Sequence, residues 1–528
     1  MTDSARRGIL VVLLSTFLAL STVSIRSQSA TFDEVNYFGI GKYLLLQHRW
    51  DIMGSILHPP LSYYLNSVPL LFVHEDRRIW EYPGRTRDLD FLGDEDMLRG
   101  QVLLSSADNA NDRLLIASRL LFTLCGVLLG YYVYRFSCEL YGTAGGFLSL
   151  VLYVFSPTIL AYAGLIVPDL PLTAFFFMTV YYLWRCRRDD RLRNRVSAGI
   201  SLGLALLAKF TAVLLLPLLA AYALLVARRD KRNPVPALAV ALAVAALLFL
   251  SAYFFDITPY LQGIRYQLAH AARGHAAFLM GQYSTHGWWY YDIVAFLIKT
   301  PVPVIVLFVA ALYLWMAKPV TDRTDTLFLV LPILVVAGFF SIEHQSIGIR
   351  YILPVYPFIF VLAGSLAACG KRVRYGAGVA ALWQVVALIG CAPHYLAYFN
   401  EFVGGPGNGY EYLVDSNLDW GQDLKGLQRY MAEHHIPRIS LSYFGMDSPA
   451  RYGIAYDWMP SYYLYNPDPD RVARLHPGQP FAISATNLQG LYLDDRDTYK
   501  WLLQYQPVAK IGYSIFVYDL GKGTIDGR

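Results

Sequence analysis

Apolar runs recur from the N-terminus to about residue 396, and they restrict the fold more than any other feature of the chain. Crossing the hydrocarbon of a bilayer takes about 20 consecutive apolar residues. The first run, 8–25, follows Arg6-Arg7. Later runs fall at 114–138, 144–163, 170–184, 198–208, 211–227, 235–255, 292–316, 327–341, 351–369 and 379–395. Together they predict a polytopic α-helical membrane protein with about eleven transmembrane helices. Composition agrees: 55% of residues are hydrophobic and only 16% charged. A soluble chain of 528 residues would divide into domains with charged surfaces.

The first run reads as an uncleaved span, because it is long for a signal peptide and 27–30 make a mediocre cleavage site. With the N-terminus inside, the short basic loops 185–195 (RCRRDDRLRNR), 228–232 (RRDKR), 318–323 and 371–374 (KRVR) all become cytoplasmic, as the positive-inside rule requires. All 11 histidines then fall on the outer side. The first outer loop, 31–113, is expected to hold helices at the membrane surface around 61–73 and a solvated, structureless stretch over 75–112. From residue 397 the chain turns polar. A helix is expected over 423–434, strands over 438–444, 480–486 and 511–518, and a second helix over 497–504. The domains are therefore 1–396 in the membrane and 397–528 as a small extracytoplasmic α/β unit.

Several function classes drop out. No basic stripe interleaved with aromatics suggests nucleic acid, and there is no Walker A loop, dinucleotide glycine fingerprint or HExxH. The 5 cysteines, all in or beside apolar runs, fit no metal spacing and read as small buried hydrophobes. No cofactor is singled out, and the few acids form no clear ligand set, which leaves a divalent metal open.

Ionisable residues at membrane borders are costly and so point to function. Asp33 and Glu34 lie where the first span leaves the bilayer. Neighbours on a helix point about 100° apart, so one base beside one substrate-orienting group fits better than a pair acting on one atom. The plainer reading is two solvated acids capping a helix after Thr31. Asp169, in VPDLPL, is either a site acid or a helix N-terminal acid favoured by the dipole. Lys209 interrupts LLAKFTAVLL and must snorkel or meet an anion. Arg350 opens a span from the outside, and His58, in HPPL, binds substrate or caps the next helix. Lys299 and His286 are weaker candidates. The stretch Asp415-Ser416-Asn417-Leu418-Asp419-Trp420 reads first as a capped turn docking the outer unit, and second as a sugar-binding loop with Trp420 as platform.

The ordered set FDE, HPPL, PDLPLT, LLAKFTAVLLLP, IKTPVPVIVL, IGIRYILPVYPF and GGPGNGYEYLVDSNLDWGQDL resembles bacterial family 39 glycosyltransferases. These have the GT-C fold of the protein O-mannosyltransferases and lipid A aminoarabinose transferases. The resemblance implies a bacterial inner-membrane enzyme that takes a sugar from a polyprenyl-monophosphate carrier on the periplasmic face and moves it to a lipid, glycan or protein acceptor. It carries over Asp33 as general base, Glu34 as an acceptor- or site-organising acid, and Asp169, Lys209 and Arg350 as substrate-binding positions, the two cations at the lipid phosphate. It does not extend to the region beyond about Gly453. A single displacement with one base inverts the anomeric centre. The competing class is a transporter or flippase of lipid-linked sugars, for which inverted repeats and midplane helix breaks would be expected.

Overall fold

The computed structural model describes residues 2–48, 50, 54–73, 94–343, 346–462 and 478–520. α1 (Asp3–Ser27) is followed by short helices α2 (Phe32–Tyr37), α3 (Ile40–Gln47), α4 (Gly54–Leu57) and α5 (Leu61–Ser67). The expectation of a structureless 75–112 is corrected in part. α6 (Asp94–Leu104) forms there, and a 3-10 segment, Ala107–Asp112, leads into α7. The rest of that stretch, 75–93, lies outside the described residues.

α7 (Arg113–Val154) is two helical arms folded back at Gly142, whose φ of 75° and ψ of −178° break the helix. In a straight helix Ser137 and Ser149 would stand about 18 Å apart along the axis. Instead their hydroxyls are 2.8 Å apart, and the Tyr153 hydroxyl donates to the Gly126 carbonyl. The two apolar runs 114–138 and 144–163 are thus separate arms, the second continued by α8 (Pro157–Ala163). α9 (Asp169–Arg188), α10 (Leu192–Ala208), α11 (Leu215–Arg228) and α12 (Val235–Ala252) follow, then α13 (Thr258–Arg273) and a hairpin of β1 (Ala277–Leu279) and β2 (Gln282–Ser284). α14 (Tyr291–Lys299) and α15 (Val302–Ala317) bend by 114° where Pro301 interrupts the helix. α16 (Arg323–Glu343), α17 (Tyr356–Gly364) and α18 (Lys371–Ile389) complete the bundle. By length and composition alone, 6 described helices can cross a membrane, or up to 7 if the bent pair is one span. That count is lower than the expected eleven, partly because it takes both arms of α7 as one helix.

The basic helix ends meet at one end of the bundle. Arg187, in the last turn of α9, binds Asp230 beyond α11 and Asp325 in the first turn of α16 at 2.8 and 2.7 Å. Trp184 donates to the same Asp325. Three loops that the sequence assigns to one side of the membrane therefore share one ionic layer.

After α18 the chain builds α19 (Leu424–Glu433) and a five-stranded sheet. Its strands are β3 (Ile439–Ser442), β4 (Tyr456–Trp458), β5 (Phe481–Ser484), β6 (Ala509–Ile511) and β7 (Ile515–Tyr518), in the order β4-β3-β5-β7-β6. β3 runs parallel to β4 and β5, whereas β7 is antiparallel to β5 and β6. β3, β5 and β7 fall within the runs predicted as strands, β3 on alternating residues and β5 and β7 on short, nearly continuous apolar runs. β4 and β6, of 3 residues each, are too short to show a period. A 3-10 turn, Lys500–Gln504, replaces the helix expected over 497–504.

The segment 415–423 fastens this sheet to the helices. The Thr486 amide donates to Asp419 Oδ2 at 2.9 Å and the Asp415 amide to Thr486 Oγ1 at 3.1 Å. On the helical side, Tyr162 donates to the Ser416 carbonyl and the Ile349 amide to Asn417 Oδ1, both at 2.9 Å. The Phe32 amide donates to the Trp420 carbonyl at 2.8 Å, and the Ser29 amide to that of Gln422 at 2.9 Å. The docking role read from the sequence is therefore present, and it grips the chain beside Asp33.

Burial raises the Asp419 carboxyl to about 8, because hydrogen bonds from Thr486 and from the Gly421 amide offset only part of its desolvation. A folded-state value above the unfolded one gives a stability term fully present below about pH 4 and lost as pH rises through 8. Thermal unfolding of Asp419→Asn and wild type from pH 5 to 9 checks this. The difference in Tm is expected to move in favour of the variant as pH rises.

Candidate active site

α1 ends at Ser27, and the next residues are held by Arg119 of α7. Its Nη1 donates to the Ile25 and Gln28 carbonyls at 2.9 and 3.3 Å, and its Nη2 to the Ser29 carbonyl at 2.8 Å. The same guanidinium meets Glu34 through Nε and Nη2, at 2.8 and 2.5 Å. Glu34 also accepts from the amides of Thr31 and Ile166, at 2.8 and 2.9 Å, closing a capping box at the start of α2. Both residues are 0% exposed. Burial alone would raise the Glu34 pKa. The Arg119 charge and the amide donors outweigh that and hold it below the usual carboxylate range.

Glu34 therefore does not line the cavity, and its place among the substrate-binding residues is corrected to a buried post. The roughly 100° between neighbours on a helix sends Asp33 the other way. Asp33 opens on a cavity of about 470 Å³. Its Oδ2 accepts from Arg350 Nη1 at 2.8 Å. Arg350, on the 3-10 turn before α17, lies with its guanidinium 4.4 Å from the Trp420 ring centre and 5.5 Å from that of Tyr351. Lys209 caps the end of α10 in extended geometry. It binds Asp169 at 2.8 Å and lies 4.4 Å from the Tyr351 ring centre. His58 stands edge-on to Tyr37. Asp33, His58, Asp169, Lys209 and Arg350 thus share one cavity, although they come from five separate places in the sequence.

Four polar atoms of residues lining this cavity, Asn36 Oδ1, His58 Nδ1, Asp169 Oδ2 and Arg350 Nε, are buried with no hydrogen-bond partner among the described residues. Buried polar groups normally have one, so the wall is shaped for polar groups of a ligand. Burial, and then the nearby Lys209 charge, lower His58 from 6.5 to about 3. Its imidazole is neutral at physiological pH.

The opposite wall was not assigned from sequence, apart from the weighing of Trp420. Phe32, Phe444, Tyr462 and Tyr492 line it with near-parallel rings, from 5.2 Å and 21° between Phe32 and Phe444 to 4.7 Å and 20° between Tyr462 and Tyr492. Asp415, in a left-handed conformation at φ 57°, accepts from the Tyr492 hydroxyl. Burial raises its carboxyl pKa. His270 and His275 complete this half. The one sequence signal for it was the confinement of histidines to the outer loops. Lys299 is elsewhere, buried and donating to the Leu396 and Asn417 carbonyls. His286 is exposed. Among the described residues, no group of 3 or more His, Cys, Asp or Glu side chains is placed to hold a metal ion.

The described residues form a helical bundle with a small sheet docked on it, and one cavity in which Asp33 and Asp169 meet Arg350 and Lys209. Comparison with known proteins finds one family model and a similar fold. Residues 112–253 match the family model described as dolichyl-phosphate-mannose-protein mannosyltransferase. The fold is similar to that of ArnT from Cupriavidus metallidurans. The crystal structure of ArnT bound to undecaprenyl phosphate has 15% identity and a TM-score of 0.50 over 97% of each chain. Its apo form has 14% identity and a TM-score of 0.51, over 97% of this chain and 98% of that one. No curated protein sequence matches. The chain thus has a GT-C-type fold similar to that of ArnT, and its residues 112–253 match the mannosyltransferase family model.

Removing Lys209 alone would leave Asp169 buried without its ion-pair partner, at a cost of about 3–5 kcal/mol. Lys209→Met is expected to lower the Tm sharply, and Lys209→Met with Asp169→Asn to recover much of the loss. Thermal unfolding of the four proteins in the cycle checks this.

Proposed function

We propose that the protein transfers a hexosyl or pentosyl group from a polyprenyl-monophosphate carrier to a hydroxyl of a lipid, glycan or protein acceptor. The setting we assign is the outer face of a bacterial inner membrane, with the N-terminus in the cytoplasm and residues 397–528 outside. The observation that carries the reading is the convergence of Asp33, Asp169, Lys209, Arg350 and neutral His58 on one cavity with unpartnered buried polar atoms.

Asp33 takes the proton of the acceptor hydroxyl as its oxygen bonds to the anomeric carbon. The bond from that carbon to the phosphate oxygen breaks, and the electron pair leaves with the phosphate. A phosphate departs as a stable anion, so no general acid is needed. Lys209 and Arg350 stabilise the charge that grows on it. Arg350 holds Asp33 at 2.8 Å, so a shift of its guanidinium toward the phosphate frees the carboxylate as the donor seats. His58, being neutral, offers a hydrogen bond without adding charge. Attack opposite the leaving phosphate inverts the anomeric centre.

Asp33→Asn is expected to cut transfer by roughly 10²–10⁴-fold while undecaprenyl phosphate still binds. Near-full turnover in that variant removes Asp33 as the base. Lys209→Ala and Arg350→Ala should lower kcat/KM for the donor by roughly 10²–10³-fold, and unchanged donor kinetics in both would exclude them from the site. NMR of the product should show inverted configuration. Product formed by the purified protein from a polyprenyl-phosphate sugar separates transfer from flipping.

A further inference from the structure

α13 has two unlike faces. Toward the protein, Gly263 sits so close to the Ile56 carbonyl and the Phe210 ring that an added Cβ would approach them to 2.6 and 2.5 Å. Gln267 donates to the Leu57 carbonyl at 2.7 Å. These contacts seat the helix directly behind His58 and Lys209, the sequence neighbours of Leu57 and Phe210. Tyr266, Gln267 and His270 look into the cavity. The opposite face carries Ile257, Leu261, Arg265, Leu268 and Ala272, at helical spacing and all exposed. Leu268 is 67% exposed and Leu261 46%.

The turn that feeds α13 points the same way. Phe254 and Phe255 hold φ of 51° and 64°, a region bulky residues rarely enter and one that costs on the order of 1–3 kcal/mol per residue. Phe255 is 70% exposed. A large apolar ring turned outward loses less free energy where the outside is itself apolar. α12 ends just before this turn and is a candidate membrane span, so the apolar face of α13 continues its lipid-facing surface. Arg265 sits in that face with a stem long enough to reach headgroup phosphates.

We propose that α13 lies in the outer leaflet, with its Leu261–Leu268 face in lipid, and that it is the wall past which a carrier lipid brings its phosphate to His58 and Lys209. An amphipathic helix of this kind lies in the plane of the interface, its apolar face about 5–10 Å deep. The isoprenoid tail then stays in the bilayer on one side of α13 while the phosphate enters the cavity on the other. The placement stands on geometry alone; the entry route rests on the donor reading above.

Two measurements on the full chain in nanodiscs containing anionic lipid test this, in a background whose cysteines are replaced by alanine. A nitroxide at Leu268→Cys should be relaxed by oxygen and shielded from a water-soluble nickel chelate, relative to one at Asp497→Cys on the outer unit. Equal chelate access at the two positions overturns the placement. Second, Leu261→Glu with Leu268→Glu should weaken undecaprenyl phosphate binding about tenfold and leave water-soluble geranyl phosphate within twofold. Equal losses for both ligands, or no loss for either, overturn the entry route. If the wild-type protein binds neither phosphate, the donor reading and the route fall together, while the nitroxide result still decides the placement.

Discussion

The Glu34–Arg119 ion pair holds the rest of the site in place. Two fully buried charges are costly unless every polar atom around them is used, and here they are used thoroughly. Arg119 collects three carbonyls from the end of α1 and the turn after it, while Glu34 collects amides from Thr31 and from Ile166 ahead of α9. One pair thus joins α1, α2, α7 and the approach to α9. It fixes the direction of α2, and with it the direction of Asp33. The acid next to Asp33 thus serves geometry, being fully buried away from the cavity.

The loop 415–423 supplies the second constraint. Its two readings from sequence, a docking turn and a platform in the site, were set against each other, and the structure shows one segment in both positions. Asp419 and Asn417 tie the sheet to the bundle through backbone groups, whereas Asp415 and Trp420 face the cavity. The Trp420 carbonyl grips the Phe32 amide, so docking the sheet also sets the roof over Asp33. Removing the sheet would therefore disturb the site even if the helices kept their packing.

What could be read from the chain follows from how local the information is. Helices were legible because apolar length and flanking arginines are local, and the separate roles of Asp33 and Glu34 followed from the pitch of a helix. His58, Asp169, Lys209 and Arg350 stood out because a polar group at a membrane border is conspicuous against apolar neighbours. Phe444, Tyr462 and Tyr492 were not legible, since aromatics in a polar region look like ordinary sheet residues. Only the fold stacks them beside Phe32, which lies hundreds of residues away. Arg119 was missed for a related reason: a single arginine inside an apolar run announces a partner without naming it. The α6 helix was missed because its acids and arginine resemble a solvated loop until it packs.

The resting charge pattern explains how two cations can be held on the wall of one cavity. Lys209 and Arg350 each hold one acid, Asp169 and Asp33, so the four groups sum to zero net charge. Aromatic faces of Tyr351 and Trp420 cover the cations further, where a ring quadrupole adds about 0.5–2 kcal/mol. Burying the cations unpaired would cost far more than this arrangement does. A phosphate that enters next to both cations does not meet bare charges. It exchanges places with carboxylates, and the exchange has unequal consequences for the two. Asp169 is deep and keeps one oxygen without a partner among the described residues, so it is poorly placed to give up Lys209. Asp33 is partly exposed to the cavity and can take an acceptor hydroxyl in place of Arg350. In the proposed transfer, binding of the anion is thus coupled, by charge balance alone, to release of the Asp33 carboxylate.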